Sequence, residues 1–317
     1  MERYQDLRRA GVTRAELAGR VRRGDLVRVR RGAFRKPGTL TPEEEHLELM
    51  AAMTGSLVKG AVVSHASAAV LHGLPVPRDV LGRVFVTTPG VGRVTRHLHR
   101  YDARVPEAGC VELGRLPEFG ALSRLMVGEG TDLSGLPVTS LARTVVDLAR
   151  SLAYHHAVAV VDAALRMGVG RDALEAELEL ARRRPGNARA RMAVEFGDGR
   201  AESPGESWSR VQMAALGLPK PGLQTELFDV DGKLVARVDF DWEEYGVVGE
   251  FDGDTKYGRL LKPGQDVNTV VRKERAREER IRRQDRWVIR WVTKELFNEK
   301  LFRQIIETGL KNGLRRR

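Results

Sequence analysis

The chain has 317 residues, enough for two or three domains, and 42% of them are hydrophobic, so sizeable cores can form. Lysine and arginine outnumber aspartate and glutamate by 54 to 43, a formal charge of +11 that favours a polyanionic partner. No apolar run reaches the roughly eighteen residues of a membrane-spanning helix. The single cysteine, Cys110, excludes an internal disulfide and a cysteine-based zinc site and fits a reducing cytoplasm.

The first 36 residues read as a small basic module. The start, Met1 to Asp6, lacks the apolar stretch of a secretory signal. Tyr4 to Ala10 is a short helical pattern, and Thr13-Arg-Ala-Glu16 has the form of a capping box that opens a second helix. Leu26 to Arg30 alternates apolar and basic residues, Arg31-Gly32 turns, and Ala33 to Arg35 returns as a hairpin. Twelve basic residues stand here against four acidic ones, so Arg14, Arg22, Arg23, Arg28, Arg30 and Arg31 are candidate phosphate contacts. A basic, solvated pair of helices that only packs on the rest is the plainer alternative.

Pro37 to Pro42 reads as a linker, and a middle region extends over about 41–196. Thr41-Pro-Glu-Glu-Glu opens a helix with proline at its first position and acids in its first turn. Val63 to Gly73 is a small-residue helix, Val84 to Thr88 a buried strand, and Arg96 to Tyr101 a second strand with His97 and His99 on one face. Two histidines without a third ligand make a poor metal site. Ser140 should cap a helix through Arg150, and Tyr154–Met167 and Asp172–Arg184 should form two more. Arg182 to Arg191 reads as a basic linker. Ser64, His65 and Asp147 have no evident partners for a hydrolase triad.

The last region, 199–317, carries the chemistry. Ser203-Pro-Gly-Glu206 opens a helix, and Asp229-Val-Asp231-Gly232 is a turn between two strands. Val235 to Trp242 and Val247 to Phe251 read as a hairpin with Gly246 at positive φ. Period-two alternation puts Val238 and Phe240 on one face and Asp239 and Asp241 on the other. The turn sets a register with Asp239 opposite Glu250 and Arg237 opposite Asp252. Two carboxylates about 4.5–5.5 Å apart repel unless a cation lies between them. A hard divalent cation takes oxygen ligands of this type. A long charged helix over 266–284, a strand Trp287–Val292 and a terminal helix Lys294–Asn312 complete the region.

Ser203-Pro-Gly-Glu206, Gln224, Arg237-Val-Asp239-Phe, Glu250-Phe-Asp252-Gly253 and the basic run ending Trp287-Val-Ile-Arg-Trp291 resemble the PD-(D/E)XK nuclease superfamily, in the branch of very-short-patch-repair endonucleases. That resemblance implies an α/β/α restriction-endonuclease-like core that cleaves double-stranded DNA with Mg²⁺ or Mn²⁺. It implies Asp239 and Glu250 at the metal, with Glu206, Gln224 and Lys256 assisting; Asp252, on the Glu250 face of the strand, is either a third acidic metal ligand or the cross-strand ion partner of Arg237. Asp252 stands where the family has its lysine, and Lys256 is the nearest replacement. Gly24-Asp-Leu26-Val-Arg28-Val-Arg-Arg-Gly32, Ser64-His65 to Gly73 and Pro137 to Leu148 resemble AbiEi-type antitoxins of abortive-infection systems. This implies a winged-helix DNA-binding module, a central α+β domain and a cognate toxin as partner. The expectation is therefore a mixed α/β, multidomain, cytoplasmic bacterial protein divided at 1–36, 41–196 and 199–317. It would be a DNA endonuclease, or a non-catalytic regulator with a spoiled nuclease site.

Overall fold

The computed structural model describes residues 1–90, 92–103, 109–116, 135–253 and 277–315. It is a mixed α/β, multidomain fold that separates into two compact units. One comprises Met1–Ala153 with Val169–Met192, the other Tyr154–Gly168 with Ala193–Arg317. No helix among the described residues is long and apolar enough to cross a membrane.

In the first unit, β1 (Glu2–Arg3), α1 (Tyr4–Arg9), α2 (Arg14–Arg22), β2 (Val27–Arg30) and β3 (Ala33–Arg35) make the N-terminal module. The Thr13–Glu16 capping box forms as the sequence demands. The hairpin gains a third strand that the pattern does not announce, because two residues pair too briefly to alternate. The sheet order is β1-β3-β2. Leu17, Leu26 and Phe34 are its small core. The module is tied to the next helix, α3 (Pro42–Met53). Arg35 Nε meets Glu48 of α3 at 3.0 Å, and Arg30 donates to the Ala52 carbonyl at 2.8 Å.

The rest of this unit runs β4 (Val62–Val63), α4 (His65–His72), β5 (Val84–Thr88), β6 (Arg93–Val94), β7 (Leu98–Asp102), β8 (Cys110–Glu112), β9 (Pro137–Thr139) and α5 (Leu141–Ser151). These strands form one sheet of order β6-β7-β5-β4-β9-β8. Its core includes Val63, Leu71, Val84, Val86 and Val138. His99 lies in β7 and stacks on Phe85 and Tyr101.

Next come α6 (Tyr154–Arg166), α7 (Arg171–Leu180), α8 (Asn187–Phe196) and α9 (Pro204–Ala215). Here the sequence reading needs two corrections. The expected linker at 182–191 contains the start of α8. The expected central domain loses α6 to the C-terminal unit. A buried ion pair joins α6 to that unit: Asp162 on α6 takes Arg210 of α9 at 2.6 Å, and its other oxygen accepts the Asp198 N–H at 2.6 Å. Periodicity cannot report such a pairing across 48 residues.

The second unit is built on β10 (Gly222–Phe228), β11 (Leu234–Trp242), β12 (Val247–Asp252) and β13 (Trp287–Val292), in that spatial order. The first three run antiparallel and β13 lies parallel to β12. Phe240, Trp242, Val247 and Trp291 pack with Met213 of α9 and with Phe302 and Ile306 of the terminal helix. Val238 and Val248 pack instead with Ile281, in a helical segment at 277–282. The sheet is thus covered by helix on both faces. Residues 293–314 form two helices, α10 (Thr293–Leu296) and α11 (Glu299–Leu314), where one was expected. Asn298 interrupts them and caps the second by accepting the Leu301 N–H.

Candidate functional site

The turn between β11 and β12 forms at Gly246 with φ +63°, as its sequence predicts. The hairpin register also matches, with Phe240 on Gly249 and Trp242 on Val247. Pairing stops one step short of Asp239 and Glu250. There the Asp239 carboxylate accepts the Phe251 N–H at 3.0 Å. On the other side of β11 the ladder pairs Leu223 with Phe240 and Thr225 with Val238, passing over Gln224 and Asp239. Gln224 sits at φ +50°, a left-handed conformation that costs a non-glycine residue about 1–3 kcal/mol. This interruption overturns the simple alternation. Val238 and Phe240 fall into different cores, although period two places them on one face.

The irregularity brings three predicted residues together. The Gln224 amide donates to Glu206 Oε2 at 2.9 Å and to Asp239 Oδ1 at 3.3 Å. Glu206 is buried in the first turn of α9, where it also accepts the Glu202 N–H and the Ser203 hydroxyl, each at 2.8 Å. Its neighbour Gly205 lets α9 press on β12, since a Cβ there would stand 1.9 Å from the Phe251 ring.

Glu250 is buried, but its company is cationic. Arg290 Nε lies at 3.0 Å from Oε2, and the Arg277 guanidinium lies 2.5 Å from Oε1. The Arg277 contact lacks the angle of a hydrogen bond, so Oε1 is an ion-paired atom without one. Arg290 also meets Glu278 at 2.8 Å and comes within 3.9 Å of Asp252. The expected cross-strand pair of Arg237 with Asp252 is not made. Arg237 turns to Glu202, with its Nη2 at 2.8 and 2.7 Å from the two oxygens. The parallel pairing of β12 with β13 sets Arg290 beside Glu250, and a reading confined to the hairpin misses it. The alternation of Trp287-Val-Ile-Arg-Trp291 could have flagged one inward arginine. Lys256 lies outside the described residues.

Among the described residues no three acidic, histidine or cysteine side chains are grouped to hold a metal ion. The oxygen chemistry of Glu206, Asp239 and Glu250 suits a hard divalent cation. Two of these carboxylates converge on one amide donor, while the third is neutralised by arginine.

The other predicted set is gathered on the N-terminal module. Arg14, Arg22, Arg28, Arg30 and Arg31 line one open groove of about 910 Å³. Arg14 donates to the Tyr4 hydroxyl at 2.9 Å and Arg28 lies over the Phe34 ring. Arg23 is the exception, held by Asp25 at 3.0 Å.

No family model matches the chain. It is 31% identical over 243 residues to "Uncharacterized protein Rv2248" of Mycobacterium tuberculosis strain ATCC 25618 / H37Rv, covering 76% of this chain and 79% of that protein. The same figures hold for "Uncharacterized protein MT2308" of strain CDC 1551 / Oshkosh. The chain belongs to the Rv2248 family. The crystal structure of the RV2827C protein from Mycobacterium tuberculosis aligns over 72% of this chain and 83% of that one, at 18% identity and a TM-score of 0.37. In this member of the Rv2248 family, then, the two sites rest on their own geometry: an arginine-lined groove, and a carboxylate cluster in which one amide bridges two acids.

Proposed function

We propose that the protein binds double-stranded DNA through its N-terminal groove and carries in its C-terminal unit a Mg²⁺- or Mn²⁺-dependent endonuclease domain. The observation that supports this reading best is the Gln224 amide joining Glu206 to Asp239, with Glu250 on the next strand. Asp239 and Glu250, with Asp252 as a third acid, are the residues that would hold the metal. Glu206 would assist, and Gln224, which donates to both acids, would orient Asp239. A bound divalent ion supplies a polarised phosphate and an activated water. Lys256 is proposed to supply the charge that Asp252 lacks. The resemblance to AbiEi-type antitoxins extends the proposal to bacterial defence beside a cognate toxin.

A second reading has its own observation. Arg277 and Arg290 already neutralise Glu250, as expected of a regulator or antitoxin that keeps the fold without the reaction. Plasmid nicking separates the two. Cleavage with Mg²⁺ or Mn²⁺ that is lost in Asp239→Asn and in Glu250→Gln supports the nuclease, and its loss in Lys256→Ala assigns the charge. A wild type that cuts under neither metal leaves the regulator.

A further inference from the structure

The first unit contains a cavity that neither site uses. It measures about 490 Å³, and its wall includes His65, Tyr101, Arg143, Asp147, Arg150 and Arg184. Three guanidiniums reach it from α5 and from the segment after α7. Asp147 holds two of them, accepting Arg143 Nε at 2.7 Å and Arg150 Nη1 at 3.0 Å. Arg143 Nη1 lies 3.6 Å from Glu177, beyond hydrogen-bond length. Arg184 makes no ion pair among the described residues. The set therefore carries three cations against two acids.

Two features mark it as a built site. Arg143 is only 3% exposed, yet its Nη2 has no hydrogen-bond partner. A buried guanidinium N–H left unpaired is costly, and native structures retain such a group where something else satisfies it. His65 sits at φ +50°, a left-handed conformation rare for a non-glycine residue. Its Nδ1 lies 3.0 Å from Ser64 Oγ, which also accepts from Thr87 Oγ1 at 2.8 Å. The His65 ring stacks on Tyr101 at 3.7 Å, and Tyr101 stacks on His99 at 4.2 Å. Both faces of Tyr101 are thus covered, so the stack forms a rigid wall and not a platform for a base.

We propose that this cavity binds a small phosphate-bearing ligand. A planar carboxylate is best met by one two-pronged guanidinium. Here the prongs of Arg143 are divided, with Nε on Asp147 and Nη2 unpaired, while Arg150 and Arg184 line the same cavity. Separate donors from three side chains suit a tetrahedral oxyanion. The depth of Arg143 suits a small ligand better than a nucleic-acid backbone.

Equilibrium dialysis of the full chain against radiolabelled inorganic phosphate, at ionic strength held constant with chloride, tests this. The wild type should bind phosphate at one site, and Arg184→Gln should bind at least tenfold more weakly. Arg28→Ala/Arg31→Ala, on the N-terminal groove, should bind as wild type does. Arg143→Lys should weaken binding as well. If that variant fails to fold, the half-buried Arg184 decides alone. Absence of binding by the wild type overturns the proposal, as does equal affinity in Arg184→Gln. Displacement of the phosphate by a short DNA duplex overturns the small-ligand reading, because the site would then belong to backbone phosphates.

Discussion

The arginines of the N-terminal groove and those of the C-terminal sheet come from one basic sequence and are used in opposite ways. Arg14, Arg22, Arg28 and Arg31 make no ion pairs among the described residues and line an open groove. Arg210, Arg237, Arg277, Arg286 and Arg290 each meet a carboxylate. A surplus of positive charge therefore says little by itself about where a polyanion would bind. What separates a binding face from a supporting network is whether each guanidinium already has its acid. A paired arginine must give up that acid to take a phosphate, and an unpaired one gives up only water.

The contrast is sharpest where an arginine is buried. Arg210→Met leaves Asp162 charged and unpaired, which should cost about 3–5 kcal/mol. Urea unfolding followed by tryptophan fluorescence would report it, because Trp208, Trp242, Trp287 and Trp291 all lie in the C-terminal unit. Arg28→Ala, in the first unit and followed by circular dichroism, should change stability by less than about 0.5 kcal/mol. Equal effects of the two substitutions would erase the distinction between paired and unpaired arginines.

The first unit should in turn be the acid-sensitive one through its histidines. Burial pushes the His65 imidazole down to about 4 from 6.5. Its folded value lies below its unfolded one. The stability it contributes is therefore complete above about pH 6.5 and is lost as pH falls toward 4, at most about 3 kcal/mol. His46 and His72, also pushed down by burial, act with the same sign. Glu48 and Glu177, pushed up by burial, act with the opposite sign. The comparison that isolates His65 is wild type against His65→Asn, since asparagine tolerates a left-handed backbone. Unfolding monitored by circular dichroism should show less stability lost between pH 6.5 and 4.5 in the variant. Identical losses would mean that the ring is not held neutral.

A smaller effect concerns DNA. Arg28→Ala/Arg31→Ala should lower the salt slope of duplex binding by about two, one for each phosphate contact removed. Arg23→Ala, whose guanidinium faces Asp25, should leave the slope unchanged. A slope that drops equally for Arg23 would show that pairing does not predict which arginines meet phosphate. Smallest of all, Glu202→Gln removes the half-exposed partner of Arg237 and should cost no more than about 1 kcal/mol by thermal unfolding.

Much of the candidate carboxylate site is legible in the sequence. Asp239, Glu206 and Gln224 each stand out there, and the β11–β12 register is right as far as Phe240. What fails is the assumption that a regular pleat runs through Asp239 and that the hairpin alone supplies the surroundings of Glu250. A left-handed Gln224 breaks the first, and arginines 27 and 40 residues further on answer the second.

The amino-acid sequence by itself determined the local geometry. Thr13 with Glu16, Thr41 with Glu44, and Ser203 before Pro204 begin their helices as written. Asp229 closes its turn by accepting the Asp231 and Lys233 N–H groups. These features need only a few neighbouring residues, so their hydrogen bonds form at little cost in chain entropy. The tertiary structure alone decided which charges meet. The parallel seating of β13 beside β12 brought Arg290 to Glu250, and the packing of α6 on α9 brought Arg210 to Asp162. Packing also enclosed the Arg143 guanidinium with one nitrogen unpaired. Such meetings require distant stretches of chain to be held together by the burial of apolar cores, and no local pattern specifies which partner a charge will find there.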